Sequence, residues 1–331
     1  MFKYIVKRLL LSIIILLGVS MIIYFLIRLM PGDFLEKNFA SQIAQGTMTP
    51  ERLNELKVLY GLNDNSFFGI IRGYWDWLIK ALSGDLGESF VYKKPVASVI
   101  ADKMWISFAI SGVALIFEFA IAIPLGVSSA VKQYSIQDYL VTILAMIGIS
   151  FPSFFFADLL IKFFAVELRW LPATGQIDAS LSDISTFQYL MSHMKYLILP
   201  MVTLVVLSIG GMMRYTRTNT LEVLNADYIR TARAKGLSEK KVIYKHAFRN
   251  TMIPLVTTFA GILPSLFGGA MIVEQVFGIE GIGNIAYKAL NSGDIPFIMG
   301  YNMFLSILTI LGTLFSDIMY AVVDPRIKLG K

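Results

Sequence analysis

The sequence predicts an all-α polytopic membrane protein with six transmembrane helices. Of its 331 residues, 56% are hydrophobic and only 16% are charged, and the mean hydropathy is +0.66. Soluble domains carry about 25% charged residues. Several apolar runs are long enough to cross about 30 Å of hydrocarbon as helices. Because no internal repeat is evident, the inverted-repeat transporter folds are disfavoured.

The first predicted element is an N-terminal transmembrane helix over residues 1–30, with its span at about 8–30. Three basic residues precede its apolar run, Leu9 to Ile27, as they do in a signal peptide. That run is longer than the 7–15 residues typical of a signal-peptide core, and no small-x-small cleavage site follows it. We therefore expect a retained helix.

A small external region is predicted over residues 31–102. Thr49-Pro50-Glu51 has the composition of a helix start, and Gly61 that of a helix stop. Residues 67–82 are rich in Phe, Tyr and Trp. Such a segment suits a helix lying at the membrane interface, and equally a small subdomain packed on the spans.

Five further spans predict a core domain over residues 103–322, which a short tail at 323–331 follows. The expected spans are 104–131, 138–164, 196–215, 251–275 and 297–322. Prolines and paired glycines recur within them. Proline kinks a helix and glycine permits close helix contact, which suits a moving pathway but also a static bundle.

The basic residues predict that both termini are cytoplasmic. With the N-terminus inside, more than half of the 29 basic residues fall in the segments assigned to the cytoplasm. Many of the others lie in the long segment 31–102, and long segments translocate largely regardless of charge. An even number of spans returns the basic C-terminal tail to the cytoplasm.

A polar, basic loop over residues 216–250 separates the fourth span from the fifth. Asn225 or Asp227 can cap a short helix, and Gly236 suits the left-handed position just past its end. Ser238 predicts the start of a second short helix. Two short helices broken at a glycine form a surface that another protein can bind. A basic loop that only follows membrane orientation rules is the alternative.

Charged residues within spans are costly and indicate function by default. Glu118 lies near the middle of the second span, where it either lines a water-filled path or bonds to a neighbouring helix or subunit. Asp158 and Lys162 lie four residues apart, so they can pair on one helix face. Asp317 lies in the last span near its cytoplasmic end.

Several functional classes are excluded by what the sequence lacks. It has no P-loop motif, no G-x-S-x-G and no H-E-x-x-H, so neither ATP hydrolysis nor another enzymatic activity is expected of this chain. It has no cysteine and only two histidines, so thiolate and histidine-rich metal sites are excluded, and no cofactor is expected. The net charge of +6 reflects membrane topology and predicts no nucleic-acid partner.

Motifs along nearly the whole chain resemble the membrane subunit of bacterial dipeptide/oligopeptide ABC importers, a family that includes nickel and glutathione permeases. Their order and spacing carry the resemblance, more than any one of them alone. The motifs are Ile27-Arg-Leu-Met-Pro-Gly-Asp33, Leu82-Ser-Gly-Asp-Leu-Gly-Glu-Ser89, Lys94-Pro-Val96, Ile123-Pro-Leu-Gly126, Gly148-Ile-Ser-Phe-Pro152, Trp170-Leu-Pro-Ala-Thr-Gly175, Leu199-Pro200, Asp227-Tyr-Ile-Arg-Thr-Ala-Arg-Ala-Lys-Gly-Leu237, His246-Ala-Phe-Arg-Asn250, Glu274-Gln-Val-Phe-Gly-Ile-Glu-Gly-Ile-Gly283 and Asp324-Pro-Arg326.

The resemblance implies a type I ABC importer permease fold whose cytoplasmic loop contains a coupling helix that docks on an ATP-binding subunit. Against the general importer pattern E-A-A-x3-G-x9-I-x-L-P, Ala232 and Gly236 match, whereas Arg230 and Thr231 replace the E-A pair. His246-Ala-Phe-Arg249 replaces I-x-L-P, and these departures favour peptides over sugars. The implied coupling residues are Asp227, Tyr228, Arg230, Thr231, Ala232, Arg233, Ala234, Lys235, Gly236 and Leu237.

The implied partners are a second, homologous permease subunit in a heterodimer, two ATP-binding cassette ATPase subunits, an extracytoplasmic substrate-binding protein, a peptide substrate and membrane lipid. The implied location is the bacterial cytoplasmic membrane. Nickel chelates and glutathione remain alternative substrates. An ion- or proton-coupled secondary transporter, which needs no ATPase, is the alternative from another class, and a non-transporting scaffold is disfavoured by the charges and kinks in the spans.

Overall fold

The computed structural model describes residues 2–28, 43, 46, 49–59, 64, 66–174, 186–268 and 270–323. Over these residues the chain is almost entirely helical, as predicted. The helices are α1 (Phe2–Arg28), α2 (Pro50–Leu59), α3 (Phe67–Leu82), α4 (Val96–Val131), α5 (Ile136–Ser150), α6 (Ser153–Leu160), α7 (Thr186–Leu224), α8 (Asp227–Ala234), α9 (Glu239–Lys241), α10 (Phe248–Gly268), α11 (Met271–Val276), α12 (Ile282–Ser292) and α13 (Ile295–Val323).

Five stretches of helix are long and apolar enough to cross a membrane, in α1, α4, α7, α9–α11 and α13. A sixth span is obtained if α5 and α6, which meet at a bend of 102°, are counted together. The predicted all-α fold with six spans is therefore confirmed, with one correction. The third span, predicted as one helix over 138–164, is broken at Phe151-Pro152.

The break has a local cause at Pro152. Proline has no backbone N–H for the helical ladder, and it drives the residue before it out of the helical region. Phe151 accordingly adopts an extended backbone, with φ −82° and ψ 129°. After α6 the chain widens into a π-helix, Ile161–Glu167.

The predicted pairing of Asp158 with Lys162 is wrong. Both side chains are exposed, and among the described residues no ion pair joins them. The pairing assumed α-helical spacing of about 3.6 residues per turn. The π-helix that begins at Ile161 forms i→i+5 hydrogen bonds, which changes the direction of Lys162 relative to Asp158.

The chain divides into two compact units, of which the first comprises residues 1–104 and 285–310. Within it, α3 has the predicted bounds 67–82 and packs on α1. Tyr24 and Tyr74 are buried there, and the Tyr74 and Ser20 hydroxyls are 2.9 Å apart. The opposite face of α3 leaves Phe68 81% exposed and Trp75 54% exposed. The helix thus rests on the first span and still presents an aromatic face.

Helix α2 begins at Pro50 as predicted, whereas its predicted stop, Gly61, lies outside the described residues.

Asp294 ties the segment before α4 to the start of α13 within the same unit. Its side chain is fully buried and accepts hydrogen bonds from the Ser89 hydroxyl and from the backbone N–H groups of Phe90, Val91 and Phe297. A buried carboxylate needs such donors, because an unpaired charge in the interior is costly. The polar motif that ends at Ser89 is therefore a structural element of this unit.

The second unit comprises residues 105–284 and 311–331, and glycines set the spacing of its long helices. A β-carbon on Gly126 of α4 would lie 2.7 Å from the Met213 carbonyl oxygen of α7. One on Gly148 of α5 would lie 2.6 Å from the Val206 carbonyl oxygen of α7. Backbone approach of this kind is the usual reason for glycine between membrane helices. Helices α4 and α5 therefore pack directly on the α7 backbone.

Candidate functional site

The loop between α7 and α10 begins later than the sequence predicts, because α7 continues to Leu224 instead of ending near residue 215. The first short helix, α8, is present, and Gly236 follows it with φ +73°, the predicted left-handed conformation. The predicted cap is wrong. Ala226 occupies the N-cap position with no side-chain cap, and the Asn225 amide donates backwards to the Leu221 carbonyl at 3.0 Å.

The second predicted short helix is instead the beginning of the fifth span. Ser238 stands at its N-cap position as predicted, but its hydroxyl makes no cap hydrogen bond. Three α-helical residues follow and lead into a π-helix, Val242–Ala247, which joins α10 at Phe248 without a break. The loop is therefore one short helix, α8, connected by a glycine turn to an extension of α10.

A small apolar core lies beneath α8. Ile229 and Ala232 point inward from α8 and meet Val242 and Ala247 of the π-helix, all four being buried. Val223 and Leu224 at the end of α7, together with Leu237, pack against this cluster. Burial of apolar area stabilises such contacts by about 25 cal/mol per Å². Helix α8 is thus held on the ends of two long helices.

The outer face of α8 is polar and basic. Between Asn225 and Asn250 the chain has seven basic and two acidic residues. Arg233 Nε donates to Glu239 Oε1 at 2.9 Å, which links α8 to α9. Arg230 lies 3.6 Å from Asp227 in a pair that is largely exposed, so solvent screens it and it contributes little stability. This face can offer several cationic groups to an acidic partner surface.

The structure gives the ten predicted coupling residues two different environments. Ala232 is buried and Leu237 is half-buried, and both contribute to the core beneath the helix. The others are exposed: Asp227, Tyr228, Arg230, Thr231, Arg233, Ala234, Lys235 and Gly236. Thr231 uses its hydroxyl within the helix, donating to the Asp227 carbonyl at 2.9 Å.

Glu118 lies apart from this loop, in line with the buried residues of α4. Ala114 and Ala122, four residues before and after it, are 5% and 0% exposed, and Glu118 itself is half-buried. Its carboxyl lies near the Ser208 hydroxyl of α7, which itself donates to the Val205 carbonyl at 3.2 Å. Thirteen residues separate it from the end of α4 at Val131, about 20 Å along the helix axis. The carboxyl therefore faces the interior of the second unit.

Two charged residues that the sequence did not single out meet where α4 ends and α5 begins, near the end of α7. Arg217 of α7 donates to both oxygens of Asp138 of α5, at 2.7 and 2.8 Å. Arg217 lies in the basic loop predicted over 216–250, and Asp138 is the first residue of the span predicted over 138–164. The two residues are 79 apart in sequence, so no local spacing signal could join them.

Two family descriptions together match most of the chain. Residues 122–329 match the binding-protein-dependent transport system inner membrane component, and residues 1–111 match the N-terminal part of such a membrane component. The chain is 37% identical over 329 residues to the oligopeptide transport system permease protein AppB of Bacillus subtilis (strain 168), with 99% of this chain and 100% of that protein covered. It is 34% identical to the dipeptide transport system permease protein DppB of Alkalihalophilus pseudofirmus, with the same coverage.

The fold is similar to that of a solved transporter. An inward-facing structure of the MetNI methionine ABC transporter matches 69% of this chain and 97% of its own chain, with a TM-score of 0.52 and 21% sequence identity. At this identity the similarity concerns the fold alone. It agrees with the type I ABC importer permease fold that the motifs imply.

Proposed function

We propose that this chain, which belongs to the family of inner membrane components of binding-protein-dependent transport systems, forms half of the pore of an ATP-driven importer of peptides. Full-length similarity to oligopeptide and dipeptide permeases carries the proposal. The chain supplies the path and the mechanical link, and separate ATPase subunits supply the free energy. The similarity to peptide permeases of binding-protein-dependent transport systems supports this proposal over the alternative, an ion- or proton-coupled secondary transporter.

The proposed link is helix α8. Its buried side fixes it to the ends of α7 and α10, and its outer face is polar, basic and exposed. A helix supported in this way can transmit a displacement, whereas a flexible loop would absorb it. On this proposal ATP binding closes two ATPases, moves α8 and opens the pore outward, and hydrolysis resets the pore inward.

The proposed complex contains this chain, a homologous permease subunit, two ATPases and an extracytoplasmic substrate-binding protein. The proposed location is the bacterial cytoplasmic membrane, with both termini and α8 in the cytoplasm and the region 31–102 outside. The concentration of basic residues near α8 supports this orientation.

Peptide is the proposed substrate class, with nickel chelates and glutathione as the alternatives. Glu118 is proposed to line the path. A half-buried carboxylate could hold the cationic amino end of a peptide through a charge-assisted hydrogen bond. Ser208 supplies the polar neighbour that such a carboxylate needs within a span.

Reconstitution tests the function. The complex should be purified with its native partners and placed in proteoliposomes with the binding protein. We expect uptake of a labelled peptide mixture that requires ATP and stops when the ATPases are omitted. Uptake driven by an ion gradient without the ATPases would contradict the proposal. Uptake of nickel chelates or glutathione in place of peptides would reassign the substrate within the family.

A further inference from the structure

A nearly buried ion pair joins α5 to α7. Arg217 Nε donates to Asp138 Oδ1 at 2.7 Å and Arg217 Nη2 donates to Asp138 Oδ2 at 2.8 Å. The side chain of Asp138 is 4% exposed and that of Arg217 is 26% exposed. A two-point contact between a planar guanidinium and a carboxylate fixes orientation as well as distance, which a single contact does not.

Asp138 also holds the end of α4. It accepts a hydrogen bond from the Ser129 hydroxyl of α4, and the backbone N–H of Tyr134 donates to its Oδ2 at 3.0 Å. Tyr134 has φ +63°, so the turn between α4 and α5 is held in an uncommon conformation. One carboxylate therefore connects the end of α4, the start of α5 and the last turns of α7.

Close packing leaves these helix ends little room to slide. A β-carbon on Gly126 would lie 2.7 Å from the Met213 carbonyl oxygen and 2.8 Å from Thr216 Cβ, next to Arg217. Displacing α7 along α4 would have to disturb the close packing of the two helices at Gly126 and also break the ion pair. The three helix ends are thus constrained to move together.

The ion pair also lies close to the candidate coupling helix. Arg217 precedes the end of α7 by two turns, and Leu224 at that end packs in the core beneath α8. In the other direction, Asp138 accepts a hydrogen bond from the Ser129 hydroxyl of α4, the helix that carries Glu118. A continuous series of described contacts therefore runs from α8 through Arg217 and Asp138 to α4.

We propose that Asp138 and Arg217 are positioning residues that transmit the displacement of α8 to α4 and α5. The proposal rests on the proposed function, because it presumes that α8 is the element the ATPases move. Stability alone does not require an ion pair here, since an apolar pair of similar volume commonly serves as well. Transmission does require a directional contact that keeps α7 and α4 in register.

The test uses the complete complex in proteoliposomes and measures peptide uptake per ATP hydrolysed, together with the yield of assembled complex. Arg217→Lys keeps the charge but loses the two-point contact, and Asp138→Asn keeps the shape but loses the charge. We expect ATP hydrolysis within about twofold of the unmodified complex and uptake per ATP lowered at least tenfold. Arg214→Gln is the matched control, because Arg214 is exposed on the same helix and should leave the ratio unchanged.

A double variant separates transmission from folding. Asp138→Asn combined with Arg217→Gln leaves no unpaired buried charge and keeps hydrogen-bonding groups in place, so the complex should assemble. We expect assembled complex with the same low uptake per ATP. Normal peptide uptake per ATP hydrolysed in this variant would overturn the proposal. Loss of assembly would also overturn it, because it would assign the ion pair to folding. If the unmodified complex shows no ATP-dependent uptake, the proposed function itself fails.

Discussion

Gly236 terminates α8 with φ +73°, a conformation that residues with a β-carbon rarely adopt. Among the described residues, no atom beyond its chain neighbours lies within 4 Å of the position that a β-carbon would occupy there, so a substitution would act through backbone strain and not through a clash. We predict that Gly236→Val costs roughly 1–3 kcal/mol locally and tilts or frays α8. Peptide uptake per ATP should fall while the subunit still inserts.

The matched control is Gly236→Asn, because asparagine tolerates the left-handed region. Uptake per ATP should be close to normal in that variant. Equal ratios for the Val and Asn variants, both near the unmodified value, would show that the conformation at Gly236 has no part in coupling.

Glu118 provides a second prediction at this scale. Glu118→Gln keeps the shape and hydrogen bonding but removes the charge, so path-lining predicts lower peptide uptake with assembly and ATP hydrolysis intact. A purely structural bond to Ser208 predicts that Glu118→Gln is silent and that Glu118→Ala lowers the yield of complex. Uptake and yield measured on both variants distinguish these outcomes. Normal behaviour of both variants would exclude both roles.

A residue could be predicted from the sequence when the interactions that place it involve near neighbours in the chain, and not when they involve distant ones. Gly236 was predicted because a helix end is a local event that a few neighbouring residues decide. The Asp138–Arg217 pair was not, because only the packing of α5 on α7 brings the two residues together. The environment of Ala232 was also not evident, since the sequence shows which residues form α8 but not which side meets the core.

At the scale of elements, hydrophobicity located the spans but not their bends. Hydropathy predicts a single span over 138–164, and it does not record that the chain turns by 102° at Pro152. Proline was noted in this span and in several others, yet α4, α7 and α10 continue past their prolines. The difference lies in the residue before proline, which is extended at Phe151.

The hairpin over residues 270–284 carries a prediction about packing. Buried Glu274 accepts hydrogen bonds from the Ser107 hydroxyl at 2.7 Å and from the Asn284 backbone N–H at 2.9 Å. A β-carbon on Gly283 would lie 2.9 Å from the Met271 backbone nitrogen and 3.0 Å from a Glu274 oxygen. We predict that Gly283→Ala destabilises the protein by about 1–3 kcal/mol, as overpacking does.

The measurement is the midpoint of thermal unfolding of the detergent-purified complex. Gly261→Ala in α10 is the control, because in the described part of the chain nothing outside the adjoining helical turns lies within 4 Å of its β-carbon position, and alanine favours helix. The control should leave the midpoint unchanged or raise it. A midpoint in Gly283→Ala equal to that of the control would show that the hairpin can relax around the added methyl group.

At the scale of the whole molecule, composition alone determined the class of protein. A chain with 56% hydrophobic residues and apolar runs long enough to cross the bilayer as helices is predicted to be a helical membrane protein. The extended α7 and the fusion of the second loop helix with α10 were not predicted. Both extensions are polar segments that stay helical because they pack on the core around Ile229 and Val242, and hydropathy does not detect such support.

The orientation of the molecule in the membrane is the last prediction, and the absence of cysteine makes it easy to measure. The basic residues around α8 favour the cytoplasm, whereas the segment before α4 belongs to a long region that translocates regardless of charge. Lys94→Cys and Lys240→Cys place single thiols at exposed positions in the two regions. A membrane-impermeant thiol reagent on intact cells should label the variant at 94 and spare the one at 240, and permeabilised cells should show both labelled. Labelling at 240 alone in intact cells would invert the proposed orientation and remove α8 from the side where ATPases act.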